Sequence, residues 1–296
     1  MGITINTNIS SLIAQRNLVK ATNALNTSIE RMTTGYKINH SSDNAAGYSI
    51  ANQWQTQLRS LDVAADNAAM GADLLTTAED TYNLVIEHVQ RIRDLTEQAA
   101  NGTYGSDSLS AIQKEMEARF SEINRITNNA EFNGVKLMDG TAGNINLQVG
   151  INSDEFSQIK VLGSTLFADT DIAAIAALGG FTASTAAALS QECTGYTAGT
   201  GIDGTKPIAA LAKLDKVLDK LSARVVDIGA IQNRVDSAIT AIDVQSQNLT
   251  SSLSTIRDAD VAEESSSYIK AQILQQASAT LLSTANQLPS IALNLI

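Results

Sequence analysis

The sequence predicts a mainly α-helical chain: a long, antiparallel, coiled-coil-like helical bundle with a small β-hairpin region and a short surface insertion. The strongest sign is a heptad seam through Leu211, Leu214, Leu218, Leu221, Val225, Ile228, Gln232, Val235, Ile239, Ile242, Ser246, Leu249, Leu253 and Ile256, in which steps of three and four alternate without a slip. At about 1.5 Å of rise per residue that seam runs for roughly 70 Å, too far for a compact globular domain to cover. The second sign is composition. Aromatics make up 4% of the 296 residues, and Pro207 and Pro289 are the only prolines, which argues against a β-sandwich or an aromatic-lined ligand pocket. The third is that both ends read as amphipathic helices.

At the N-terminal end, Ile5, Ile9, Leu12 and Val19, then Leu18, Leu25, Ile29 and Met32, recur at three-four or seven spacing. Ser41 or Ser42 can cap a second helix beginning near Asp43, whose carboxylate suits the positive end of a helix dipole. That helix carries Trp54, Leu58, Leu61, Ala65, Ala68, Leu75, Tyr82, Val85, Val89, Ile92 and Leu95 until Asn101-Gly102 stops it. A third starts at Ser106 to Ser110, places Ile112, Met116, Phe120, Ile123 and Ile126 on one face, and is expected to end at Asn133-Gly134. The period then changes. Ile145, Leu147 and Val149 alternate with Asn146 and Gln148 between turn signals at Asp139-Gly140 and Asn152-Ser153-Asp154, so residues 135–162 read as short strands or a hairpin pair. Residues 163–206, rich in Ala, Gly, Thr and Ser, show no sustained period and read as a surface insertion or a small, weakly packed lobe. The heptad helix returns along 211–256. A weaker seam through Leu274, Ala277, Leu281, Thr284, Leu288, Ile291 and Leu295 follows, so the two ends of the chain meet.

Charge and chemistry narrow the function classes. Twenty Lys and Arg against 31 Asp and Glu leave a net charge of -11 with no basic run, so nucleic acid and anionic membrane surfaces are poor partners. No stretch approaches 18 uninterrupted apolar residues, and the first residues lack the basic start and apolar run of a cleaved secretory signal. A single Cys193 cannot close an intramolecular disulfide, and with His40 and His88 it leaves too few soft ligands for zinc. Gly199-Thr200-Gly201-Ile202-Asp203-Gly204 has the GxGxxG form but lacks the buried strand before it and the helix directly after it that a phosphate cradle needs. His88 lacks the second histidine of a metal helix. His40, Ser41, Ser42 and Asp43 are too close in sequence for triad geometry. No constellation runs a reaction: the expectation is a protein that is not an enzyme and holds no cofactor and no metal.

What is over-represented is apolar stripe. Terminal helices with few large side chains are marginal alone, and a subunit whose ends lack a core until neighbours supply one suits a contact that repeats head to tail into a helical filament. Particular residues then resemble a known family, the bacterial flagellins. They are Ile5 to Asn8, Arg31 to Asn39, Asp43 to Gly47, Ile50 to Asn52, Gln90 to Leu95 with Asn101 to Thr103, and Phe132 to Leu137 in the first half. In the return half they are Gly229 to Arg234, Arg257 to Asp260 and Ala271 to Ala277. The likeness covers about residues 1–165 and 207–296.

The resemblance implies a division of labour. Residues 1–42 and 255–296 would be the two helices of an inner-tube domain, 43–165 and 207–254 a surrounding spoke domain of helices and hairpins, and 166–206 a short variable insertion. Subunit assembly would fall to Ile5, Ile9, Leu12, Leu18, Leu25 and Met32 at one end and Leu274, Leu281, Leu288 and Leu295 at the other. It also implies a homo-oligomeric extracellular filament used for motility, type III export without cleavage, an export chaperone on the C-terminal helix, and filament cap and junction proteins as partners. Recognition by an innate Toll-like receptor is implied for Gln90, Arg91, Leu95 and Glu115, residues that can serve subunit packing equally. The alternative on the same terminal helices is a hook-filament junction protein.

Overall fold

A computed structural model of the chain describes residues 8–138, 143–161, 172–179, 185–197, 201–202 and 205–293. The turn signal at Asp139-Gly140, most of the Gly199 to Gly204 loop, and Ile5 and Leu295 lie outside them. The described helices are α1 (Ile9–Thr34), α2 (Ala45–Ala100), α3 (Ser106–Asn129), α4 (Ile172–Gly179), α5 (Ala186–Thr194), α6 (Thr205–Arg257) and α7 (Val261–Leu293). Three two-stranded antiparallel hairpins join them: β1 (Glu131–Phe132) with β2 (Val135–Lys136), β3 (Ile145–Gln148) with β4 (Gln158–Val161), and β5 (Tyr196–Thr197) with β6 (Gly201–Ile202). The chain forms two compact units, one of residues 1–59 with 246–296, the other of residues 60–245.

In the first unit, α1 and α7 lie antiparallel. Asn8 joins them at one end: its Oδ1 accepts the Ser11 N–H at 3.1 Å, capping α1, while its Nδ2 donates to the Ala285 carbonyl at 2.7 Å. Gln275 donates to Thr22 at 3.2 Å midway, and Arg31 pairs with Glu264 at 3.0 Å at the other end. α1 stops at Gly35, which adopts φ 76° and returns its N–H to the Arg31 carbonyl. α7 starts on Asp260, whose carboxylate accepts the N–H groups of Ala262 and Glu263. The second helix is capped differently from the expectation. Asn44, not Ser41 or Ser42, accepts the Gly47 N–H at 2.9 Å, and the helix begins at Ala45. Asp43 is unavailable because its Oδ2 is taken by the N–H groups of Asn39 and His40, which hold its carboxyl below the usual range.

In the second unit, α2 packs antiparallel to α3 and to α6 around a core containing Tyr82, Phe120, Leu75, Ile92, Met116 and Ile123, all fully buried. The expected seam of α6 is present, with one row deepest: Leu214, Leu221, Ile228, Val235 and Ile242 are buried, flanked by buried Ala210, Val217 and Ile231. Gln232, a polar break in the seam, donates to Glu79 of α2 at 2.9 Å, so the break is a cross-helix bond rather than a defect.

Two expectations are corrected here. α3 ends at Asn129, and Asn133-Gly134 instead forms the two-residue turn of the β1–β2 hairpin, with φ 48° and 80°, the paired positive φ that favours Asn-Gly in such turns. Within 163–206 the described residues include a well-defined helix that the composition did not signal. α5 starts on a Thr185 cap, ends on left-handed Gly195, packs on α3, and buries Leu189 and Cys193 one turn apart. Lys213 of α6 ties it down through Glu192 at 2.6 Å. Ala-rich sequence hides a helix here because a single Leu189 with the small Cys193 one turn on is too little apolar pattern to signal a nine-residue element.

Candidate assembly surfaces

The seam between α1 and α7 is built of small residues. Ala14, Ala21 and Ser28 repeat every seven residues on α1, and Ala271, Ser278 and Ala285 do so on α7; all six are buried. Small side chains let two backbones approach closely but remove little apolar area from water, roughly 25 cal/mol per Å² of it. The large apolar residues sit elsewhere. Ile9 is 64% exposed, Leu12 57%, Leu274 50% and Leu281 62%, and Met32, Ile13, Val19, Ile269 and Ile273 are exposed with them. Leu18 and Leu25 are half-buried at the edge of the seam, and Leu288 lies within α7. Beside the seam runs a groove of about 610 Å³ floored by Ala21, Ala24 and Ala271 and walled by Lys20, Leu274 and Leu281. The first unit thus keeps its small residues for itself and presents its large ones outward, an arrangement costly in water unless another surface covers them.

The residues named for receptor or subunit contact fall on α2 and α3 of the second unit. Arg91 forms a two-point ion pair with Glu115, Nη2 to Oε1 at 2.8 Å and Nε to Oε1 at 2.9 Å, both side chains partly exposed. Gln90 is exposed beside it, and His88 lies 3.4 Å from Arg119 one turn away. Leu95 is separate from this group: it is 1% exposed, in the core, and offers no surface of its own. Its neighbour Thr96 is likewise buried and donates to the Ile92 carbonyl at 2.8 Å. The apolar spacing of α2 places Leu95 on the same inward row as Val85, Val89 and Ile92, all buried.

Residues outside the expected set also stand out. Ile13, Ile269 and Ile273 extend the exposed apolar surface of α1 and α7, and a second stripe offset from the heptad would have signalled them. On the second unit, Phe156 is 95% exposed. Among the described residues no helix is long and apolar enough to cross a membrane, and no group of three His, Cys, Asp or Glu could hold a metal ion.

An antiparallel pair of terminal helices that withholds its large apolar side chains from its own core, continued by a long-helix bundle with hairpins, defines a self-associating structural subunit. Comparison with known proteins agrees. Residues 5–143 match the family model of the bacterial flagellin N-terminal helical region, and residues 211–296 that of the C-terminal helical region. Polar flagellin F of Vibrio parahaemolyticus serotype O3:K6 is 31% identical over 376 aligned positions that cover all of both chains. Flagellin FlaB2 of Treponema pallidum is 33% identical, and the flagellar filament 33 kDa core protein of Treponema phagedenis 32%, each over 293 positions and 99% of both chains. A solved structure of a putative flagellar hook-associated protein from Vibrio parahaemolyticus shares the fold, with a TM-score of 0.59 at 16% identity over 73% of this chain and 100% of that one. The chain belongs to the bacterial flagellin family, structural subunits of the flagellar filament.

Proposed function

We propose that this chain polymerises with copies of itself into an extracellular flagellar filament that serves motility, and that it does so without catalysis. The observation that carries the reading is the inverted packing of α1 and α7: small residues in the intramolecular seam, Ile9, Leu12, Leu274 and Leu281 outside it. In a filament those side chains would enter the groove and flanks of neighbouring copies, giving the terminal pair the core it lacks alone. On this reading residues 1–42 and 255–296 form the inner tube and 43–254 the spoke, with 166–206 as a short outer insertion. The close length match to the Treponema relatives fits a thin outer layer; the Vibrio alignment needs 376 positions against these 296 residues.

The same exposed α7 surface suits an export chaperone that shields it before secretion, and a cap and junction protein that receive it at the filament ends. The Arg91–Glu115 pair with Gln90 is the part of the α2 surface open to an innate receptor or to a neighbouring subunit; Leu95 contributes through the core beneath it. The test is truncation. Removing residues from 275 onward deletes Leu281 and the C-terminal half of α7 with its side of the α1 seam, and none of the second unit, so the truncated chain should keep the melting of the α2, α3 and α6 bundle and form no filaments on sheared seeds. Normal filaments from it would overturn the proposal.

A further inference from the structure

We propose that Phe156 of one copy seats in a cavity between α2 and the hairpins of the next copy, making a knob-and-hole contact in the second unit that is separate from the terminal helices. The inference rests on the polymerisation reading above. Phe156 stands on the turn between β3 and β4, a single 3₁₀ turn over Glu155–Ser157. That turn is rigid. The Asp154 carboxylate accepts the Ser157 N–H at 3.0 Å, the Ser157 carbonyl receives the N–H groups of Val149 and Gly150, and Gln148 donates to the Gly150 and Asn152 carbonyls at 2.7 and 2.9 Å. Glu155 pairs with Lys160. Gly150 is packed so tightly on Ser157 that an added Cβ would come within 2.8 Å of its side chain and 3.0 Å of its Cα.

A single exposed apolar residue is ordinary on a protein surface. A ring that is 95% exposed, on a tip fixed by this many bonds, is a pre-organised anchor that none of the described residues covers. The same unit carries a matching hole. A cavity of about 270 Å³ lies where the β1–β2 and β3–β4 hairpins meet α2, walled by Met70, Leu74, Phe132, Val135 and Leu147 over Gly71. A dry apolar cavity of about 150 Å³ already accepts a benzene ring. None of the lining residues is charged, and its rim carries the amides of Asn67, Asn133 and Asn146. Those amides can donate to the tip carboxylates Asp154 and Glu155 that accompany the ring, so the acidic tip meets donors rather than like charge. Knob and hole are different patches of one surface, which is the requirement for a heterologous contact that repeats without closing.

The experiment is a double-mutant cycle on the seeded critical concentration, using full-length chain with Phe156→Ser, Met70→Ser and both. Phe156 and Met70 are exposed, so each monomer should melt as wild type does. Phe156→Ser should raise the critical concentration about 10-fold or more, Met70→Ser less, and the double variant should match Phe156→Ser because its partner is already gone. A Phe156→Ser threshold equal to wild type, or effects that simply multiply, would overturn the contact. Wild-type chain that fails to extend the seeds would instead overturn the polymerisation reading, so the two failures are distinguishable.

Discussion

The guanidinium of Arg257 lies 4.2 Å from the centroid of the Tyr36 ring, where the end of α6 meets the segment after α1. Around it the backbone is paired: the Lys37 N–H donates to the Arg257 carbonyl at 2.8 Å, the Ala259 N–H to the Gly35 carbonyl at 2.9 Å, and Arg257 reaches Gln55 at 3.2 Å. Arg257 thus fastens α1, α2 and the α6–α7 turn to one another within the first unit. A flat guanidinium can stack on the ring and still bond Gln55; an ammonium cannot reproduce both. Arg257→Lys is expected to cost about 1 kcal/mol locally. The amide protons of Lys37 and Ala259 should exchange faster, while those of α3 stay unchanged, and unchanged exchange at 37 and 259 would show that the stack carries no weight.

The small-residue seam makes an opposite demand from an ordinary core. Ala271→Leu adds the bulk that cores usually favour, yet here it would push α7 off α1, at about 1–3 kcal/mol. Circular dichroism should show loss of helix at temperatures below the main transition, confined to the terminal pair. A variant as stable as wild type would mean that the seam is loosely packed.

Cys193 is buried on α5, and burial pushes its thiol from 9.0 up to about 12, with the Thr96 hydroxyl acting the other way. A thiolate is the reactive form, so iodoacetamide at pH 8 should label Cys193 no faster than the second unit opens. Because the folded value is the higher one, the folded state keeps its full advantage below pH 9 and loses it as the pH climbs from there toward 12. Rapid labelling of native protein at pH 8 would contradict the packing of the lobe on α3.

Gly71 lets Leu147 rest on the backbone of α2: a Cβ there would stand 2.6 Å from Leu147 Cδ1. Gly71→Ala should therefore push the Leu147 side chain off α2, loosen the β3–β4 hairpin's seat there and destabilise the second unit by about 1 kcal/mol, despite the better helix propensity of alanine. A raised melting temperature would show that the hairpin gives way freely.

Much of the fold was legible because its elements are long. A seam sustained from Leu211 to Ile256 leaves one reading, and α6 follows it. The capping at Asn44 was hidden because Ser41, Ser42, Asp43 and Asn44 are all capping residues, and only the backbone path shows that Asp43 is spent on Asn39 and His40. Asn133-Gly134 signals a helix stop and a hairpin turn alike, and two-residue strands leave no alternation to tip the choice. At the assembly surfaces, the spacing located the apolar stripes but not their direction. Which of two adjacent heptad rows faces the partner helix depends on side-chain size: alanine and serine rows close the α1–α7 pair, and the leucine rows are left outside. Leu95 is a case in which spacing and resemblance point different ways: it continues the inward α2 row of Val85, Val89 and Ile92, and its 1% exposure follows that row.

The most direct measurement is the critical concentration for growth on sheared filament seeds, taken for wild type and for Leu12→Ser combined with Leu281→Ser. Both side chains are exposed in the isolated chain, so monomer melting should not change. If they are the surface that neighbours cover, the threshold should rise about 10-fold or more. A double variant that melts and elongates as wild type does would contradict the claim that α1 and α7 hold their large apolar residues for other copies.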